Sequence, residues 1–236
     1  MARKVRVSKK KIPRGADEFV STSTRVFNYV AQNQRNVLLL GVAVLVAALL
    51  FAGWRFHSQR TEKQASNLYY EAIRYYHGDN NTESSVTDDK ERCKLALGKL
   101  QEVIGKYPRT GVATLALLYS GHTYYKLKQF DESIEFYQSF LKKTSFDNPL
   151  KIFAFDGLGY GYEAKGDYRN ALIYFSKLID GDENPLSRLG HFSVGRCYEK
   201  LGEKDKALQT YQKVLTMYPD SGFDALAREK ISILKR

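Results

Sequence analysis

The sequence predicts an all-α chain: a solenoid of about four helix pairs, closed by a C-terminal capping helix, behind a single transmembrane helix. Three observations predict it. An uncharged apolar run lies between Arg35 and Arg55. One arrangement of Gly, Tyr, small and aromatic residues recurs three times, at spacings of 38 and 36 residues. Within the copies, apolar residues fall three and four apart, the period of a helix and not of a strand.

Composition bounds what the chain can be. Its 236 residues leave room for one ordinary domain with appendages. Apolar residues make up 43%, enough to drive folding. The net charge of +11 is unevenly spread. Residues 1–35 hold nine Lys/Arg against Asp17 and Glu18, a net of +7; residues 36–54 hold no charge, and the remainder nets +4. The folded part is close to balanced, which argues against a nucleic-acid-binding domain. Cys93 and Cys197 stand far apart, with no Cys-x-x-Cys or Cys/His cluster. They are either two separately buried thiols or one bridge in an oxidising compartment.

Taken in order, residues 1–35 form a basic cytoplasmic tail. Phe19, Val26, Phe27 and Val30 recur there at helical spacing, either as a short amphipathic helix on the inner membrane surface or as an irregular linker. Lys9-Lys10-Lys11 either touches anionic lipid or acts as a topology signal alone. Residues 36–56 are the transmembrane helix. "NVLLLGVAVLVAALLFAGW" has the length that a bilayer crossing requires, and Trp54 sits where an interfacial aromatic belongs. The other reading of this run is a cleaved signal peptide, whose apolar core is usually shorter and nearer the N-terminus. Nine basic residues in the tail place the N-terminus in the cytoplasm, although Arg25 and Arg35 on one side are balanced by Arg55, Arg60 and Lys63 on the other. Residues 57–236 would then lie outside the cytoplasm.

That region reads as helix pairs at about 62–107, 111–143, 150–180 and 186–217, with a capping helix at 221–235. Three copies align: "LLYSGHTYYKLKQFDESIEFYQSFL" from 117, "FDGLGYGYEAKGDYRNALIYFSKLI" from 155 and "HFSVGRCYEKLGEKDKALQTYQKVL" from 191. A Gly is followed three residues on by Tyr (Gly121/Tyr124, Gly159/Tyr162, Gly195/Tyr198). Twelve after the Gly stands a small residue (Ser133, Ala171, Ala207), then four on an aromatic (Tyr137, Phe175, Tyr211), then three on an apolar residue (Phe140, Leu178, Val214). Ala96, Leu100, Val103 and Pro108 hold the matching places in an earlier copy, whose partner helix is "EKQASNLYYEAIRYY". The polar insert "HGDNNTESSVTDD" separates the two as a loop. Asp167 is placed to cap the helix that follows it. "SGFDALAREKISILKR" puts Phe223, Leu226, Ala227, Ile231 and Leu234 on one face, as a cap would.

This pattern resembles the tetratricopeptide repeat, a helix–turn–helix unit of about 34 residues. The resemblance covers about 160 of the 236 residues. Two departures mark it. The copies are slightly long, and Leu117, Phe155 or His191 stands where the family has Trp. The closing Pro is displaced to Pro149 and Pro185, so those connections should be longer. Of the three glycines in Gly157-x-Gly159-x-Gly161, only Gly159 recurs, and the other two match merely small or variable positions.

Nothing in the sequence indicates catalysis. His57, His77, His122 and His191 lie in unrelated settings, no Walker loop occurs, and no metal or cofactor site is legible. The expectation is a non-enzymatic chain that binds proteins, with no nucleic acid and no small-molecule substrate. The resemblance implies that the leading helix of each pair lines a concave groove. On that ground His122, Tyr125 and Lys126 would face inward from the first full copy, Asp156, Tyr160 and Glu163 from the second, and Arg196 and Glu199 from the third. Some family members grip a partner's terminal carboxylate with Lys and Asn at fixed places; here those places hold Leu118 and His122, which disfavours that mode.

The layout of basic tail, one span and a short repeat array is similar to the ancillary SecYEG translocon subunit family (YfgM-like) of bacterial inner membranes. That resemblance implies a single-pass inner-membrane adaptor with its repeats in the periplasm. Its partners would be translocon subunits, periplasmic chaperones or client chains. Two other readings stay open: an envelope assembly scaffold unrelated to the translocon, and a cytosol-facing client receptor of reversed topology.

Overall fold

The computed structural model describes residue 24 and residues 27–78, 88–179, 185–219 and 221–236. Two compact units are resolved, residues 1–58 and 59–236. Within the first, residues 27–32 are helical, and Asn33 closes that stretch by donating its side-chain amide to the Tyr29 carbonyl at 3.0 Å. Phe19 and Val26 of the expected amphipathic helix lie outside the described residues. Helix α1 runs from Gln34 to His77. Over its apolar part Leu38, Leu39, Leu40, Val42, Leu45, Leu49, Leu50, Phe51, Trp54 and Phe56 are all exposed, so this helix is apolar all round.

The second unit contains the end of α1 and eight further helices among the described residues: α2 Asp89–Lys106, α3 Gly111–Lys126, α4 Phe130–Lys143, α5 Lys151–Ala164, α6 Tyr168–Ser176, α7 Ser187–Lys200, α8 Lys204–Met217 and α9 Phe223–Leu234. From α2 to α9 they pack in chain order, each against the next, which is the contact pattern of a solenoid. No strand occurs among the described residues. Four apolar clusters succeed one another along the stack. The first holds Ala65, Ala72, Leu100, Val103, Ala113 and Ala116. The last closes with Phe192, Tyr211 and Val214 against Ala227 of the capping helix α9.

Local signals account for the helix ends. Thr110, Asp88 and Asp167 accept from backbone amides of the helices they precede, as N-caps do. The start of α3 has a second acceptor from a distant part of the chain. Glu62 on α1 takes the amides of Gly111 (3.3 Å) and Val112 (3.1 Å), placing a negative charge at a helix N-terminus. The connection from α4 to α5 spans residues 144–150, longer than the 107–110 link before it, where the displaced Pro149 lies.

The turns inside the pairs share one backbone form. Gly166 (φ 77°) and Gly202 (φ 76°) turn α5 into α6 and α7 into α8 from the left-handed region. Lys128 (φ 61°) does the same between α3 and α4, carrying a side chain where glycine is favoured.

The pairs close through a ring laid on a glycine. A Cβ at Gly121 would stand 2.7 Å from the Tyr137 ring, and one at Gly195 would stand 2.7 Å from the Tyr211 ring. A Cβ at Gly159 would overlap the Phe175 ring. All three rings are buried to 1% exposure or less, so they cannot retreat. The middle copy goes further. Gly157 lies under the far side of Tyr137 from the preceding pair, and a Cβ at Gly161 would stand 2.9 Å from Ile134 Cγ1. The expectation that Gly161 is a merely small position and Gly157 a variable one is therefore corrected: each admits a neighbouring pair's side chain. In the first pair Leu100 takes the ring's place, and alanines suffice against it.

Three substitutions test this account. Gly159→Ala should lose about 1–3 kcal/mol by overpacking, whereas Gly98→Ala, on an exposed helical site with nothing within 4 Å of a new Cβ, should gain about 0.5–1 kcal/mol. Lys128→Gly should raise the unfolding free energy by about 0.5–1 kcal/mol, because it relieves left-handed strain. Urea unfolding followed by circular dichroism reads all three.

Candidate functional groove

The leading helices α3, α5 and α7 carry a row of rings and charges. Tyr125 of α3 lies 6.5 Å from Tyr160 of α5, centroid to centroid. The Arg196 guanidinium of α7 sits over the Tyr160 ring at 5.6 Å and over the Phe192 ring at 6.0 Å. Arg196 also donates twice to Glu163 of α5, from Nε to Oε1 and from Nη2 to Oε2, both at 2.6 Å. This fork geometry is the strong form of an ion pair and ties two successive repeats together. Both side chains are largely shielded, 24% and 18% exposed, so water weakens the pair little.

Five of the eight residues expected to line the groove therefore meet in one cluster: Tyr125, Asp156, Tyr160, Glu163 and Arg196. The other three are placed around it. His122 is edge-on to Tyr119 (5.7 Å) and Tyr137 (5.3 Å). Lys126, which is exposed, holds its ammonium 3.8 Å over the Tyr76 ring and donates to the Tyr76 carbonyl at 3.3 Å. Glu199 is taken up by structure. It accepts from the Tyr211 hydroxyl at 2.8 Å and from Lys230 of α9 at 3.0 Å. Burial opposes the Glu199 charge, but these two donors hold its carboxyl below the usual range.

Sequence reasoning missed Tyr76, Tyr119 and Phe192. Phe192 stands three residues before Gly195, the place that Asp156 holds before Gly159, so the repeat register alone could have found it. Tyr76 and Tyr119 join through edge-to-face ring contacts at 5.6 Å, which no spacing rule announces.

Two titrating groups are perturbed in opposite senses. Burial pushes Asp156 up to about 6, against a weaker pull from Arg196. Burial, with some help from Lys126, pushes His122 down to about 4. A neutral imidazole suits its hydrogen bond, in which the Tyr137 hydroxyl stands 2.6 Å from Nδ1. Cys93 and Cys197 are separate buried thiols, in line with one of the two sequence readings, and burial raises Cys197 to about 12. Among the described residues no three His, Cys, Asp or Glu side chains gather as a metal site would require.

Comparison with known proteins agrees with this geometry. The sequence model of the tetratricopeptide repeat matches residues 115–143 and 192–221, which are the α3–α4 and α7–α8 pairs. A crystal structure of MamA protein superposes with a TM-score of 0.56 at 18% identity, over 75% of this chain and 81% of that one. A second MamA structure gives 0.51 at 21% identity, over 61% and 78%. At these identities the likeness is one of fold. The Protein CTR9 homolog of Arabidopsis thaliana is 33% identical over 75 residues, 31% of this chain and 7% of its own length. The helix pairs form a tetratricopeptide-repeat solenoid, an architecture that serves protein–protein interaction.

The opposed pKa shifts predict the pH dependence of folding. An acid raised on folding destabilises the fold above its folded value, and this cost fades as pH falls from about 6 towards the ordinary 3.8. A base lowered on folding costs nothing above 6.5 and destabilises increasingly as pH falls towards about 4. Within that shared window, Asp156→Asn should lose stability more steeply on acidification than the parent, and His122→Asn less steeply. Urea midpoints at pH 4.5, 5.5 and 7 measure both slopes.

Proposed function

We propose that this chain is a membrane-anchored protein-binding scaffold whose repeat domain faces the periplasm, acting as an adaptor beside the protein translocon of an inner membrane. One observation carries the binding role: the row of Tyr125, Tyr160 and Arg196 across three leading helices. Aromatic and arginine side chains are the commonest energetic anchors of protein interfaces. His122, Lys126, Asp156, Glu163 and Glu199 complete the groove, supplying charge and orientation around those anchors. The role is non-enzymatic, and no cofactor is called for.

The membrane role rests on the exposed apolar part of α1, which is long and apolar enough to cross a bilayer. Residues 36–56 would shed their contact with water by entering lipid. The tail's net charge of +7 favours a cytoplasmic N-terminus. The translocon assignment comes from similarity of layout, so its partners are translocon subunits, periplasmic chaperones or emerging client chains.

Three experiments bear on this. Protease added to intact spheroplasts should digest the repeat domain; digestion only after lysis overturns the orientation and favours a cytosol-facing receptor. A photoreactive residue at Tyr160 should yield adducts with translocon subunits or periplasmic chaperones. An adduct set lacking both sinks the translocon role and leaves a general envelope scaffold. Tyr125→Ala or Tyr160→Ala should weaken the captured partner about tenfold, as loss of an interface anchor does.

A further inference from the structure

Among the charges of the groove, one carboxylate has a shielded oxygen with no hydrogen-bond donor among the described residues. Arg196, the nearest candidate, is engaged at Nε and Nη2 by Glu163. Lys126 is held against Tyr76, and Glu199 has Lys230. Asp156 on α5 is left over. Its Oδ1 is shielded from water and has no hydrogen-bond donor among the described residues. Glu163, Arg196 and Asp156 together carry a net charge of −1. A shielded carboxylate oxygen without a donor costs free energy that folding does not recover. Yet the residue as a whole is half-buried.

The side chains electrostatically coupled to Asp156 come from four helices. They are Tyr125 of α3, Tyr137 of α4, Tyr160 of α5 itself and Arg196 of α7. Three of the four are tyrosines. A carboxylate beside tyrosine rings is the chemistry that receives an organic cation: the charge is neutralised by the acid while the ring faces attract it through their quadrupoles. An anionic guest would meet the unpaired Asp156, and an apolar guest would leave it desolvated and alone.

We propose that Asp156, beside the part-exposed Tyr125 and Tyr160, receives the lysine or arginine side chain of a polypeptide segment lying in the groove. This rests on the protein-binding reading above and specifies its ligand. The Glu163–Arg196 fork then acts as a fixed wall: its charges cancel, so it orients the guest without competing for it.

The test uses the full chain in detergent micelles and a phage-displayed library of random 12-residue peptides. Selected peptides are resynthesised with a fluorescein label, and each Lys or Arg is replaced in turn by norleucine. Fluorescence anisotropy should show selected peptides enriched in Lys or Arg, with one norleucine replacement weakening binding at least tenfold. Asp156→Asn should weaken the basic peptide by the same factor and leave the norleucine peptide unchanged. Asp156→Ser is the second variant should the first fold poorly. A merely structural role for Asp156 would lower the unfolding midpoint on substitution, whereas removal of an unpaired charge should leave it unchanged or raise it.

Acidification supplies an independent readout. Between pH 7.5 and 5 the coupled tyrosines and Arg196 keep their charge states, and His122 stays neutral down to about 4. Affinity for the basic peptide should therefore fall over that interval in the parent and stay level in Asp156→Asn. Peptides bound without a basic residue, or bound equally by parent and Asp156→Asn, overturn this inference and leave the protein-binding reading standing. A library from which nothing is retained, at any pH, overturns both.

Discussion

Everything above the level of a single helix rests on a buried ring laid against bare backbone. Tyr137, Phe175 and Tyr211 each project from a trailing helix onto a glycine of the leading helix in the same pair. The ring supplies a large buried apolar surface, worth about 1.5–3 kcal/mol for a Phe-sized side chain. The glycine supplies the space. Neither works without the other, because an ordinary Cβ in that place would overlap the ring. Helical glycine carries an intrinsic cost of about 1 kcal/mol relative to Ala, and three glycines within one stretch of α5 would make that helix unstable in isolation. Its stability comes from α4 and α6, whose side chains fill the three gaps. Stacking is thus a condition of the repeat's folding and not a later embellishment.

The same arrangement leaves a row of side chains along the leading helices. The row is tied to the core, since Tyr160 meets the Phe175 ring edge-on and His122 meets the Tyr137 hydroxyl. Those side chains are largely self-satisfied. Arg196 grips Glu163, Lys126 covers Tyr76, and Glu199 is anchored by Tyr211 and Lys230. Each of these contacts joins neighbouring helices, so the polar row stiffens the stack while it shapes the surface. Asp156 is the exception: its Oδ1 is shielded and has no donor among the described residues. Rings flank it on neighbouring helices, so recognition here would combine aromatic contact with one unpaired charge.

Much of this was legible in the residues themselves. The repeat spacing carried the register of the copies, because helix packing demands the same small and large residues at the same places in each. Asp167 was readable as a cap because its backbone position and short carboxylate suit an exposed amide. The groove residues were legible as a row but not as a network. Glu163 and Arg196 lie 33 residues apart, and only stacking brings them within 2.6 Å. Gly157 looked incidental since its counterparts are Tyr119 and Ser193. Its need arises from Tyr137 in the preceding pair, a demand that alignment of copies averages away.

The sequence by itself determined the apolar run, the helical period, the register of the pairs and the tail's charge. These are properties of short stretches: backbone preference and the spacing of apolar side chains act within one helix or one turn. The tertiary structure alone decided which charges are paired and which is not. It also decided which glycines are indispensable, and that Glu199 serves the capping helix. Those outcomes depend on distances between residues remote in the chain, and electrostatic and packing energies change steeply over a few ångströms, far below what residue spacing can resolve.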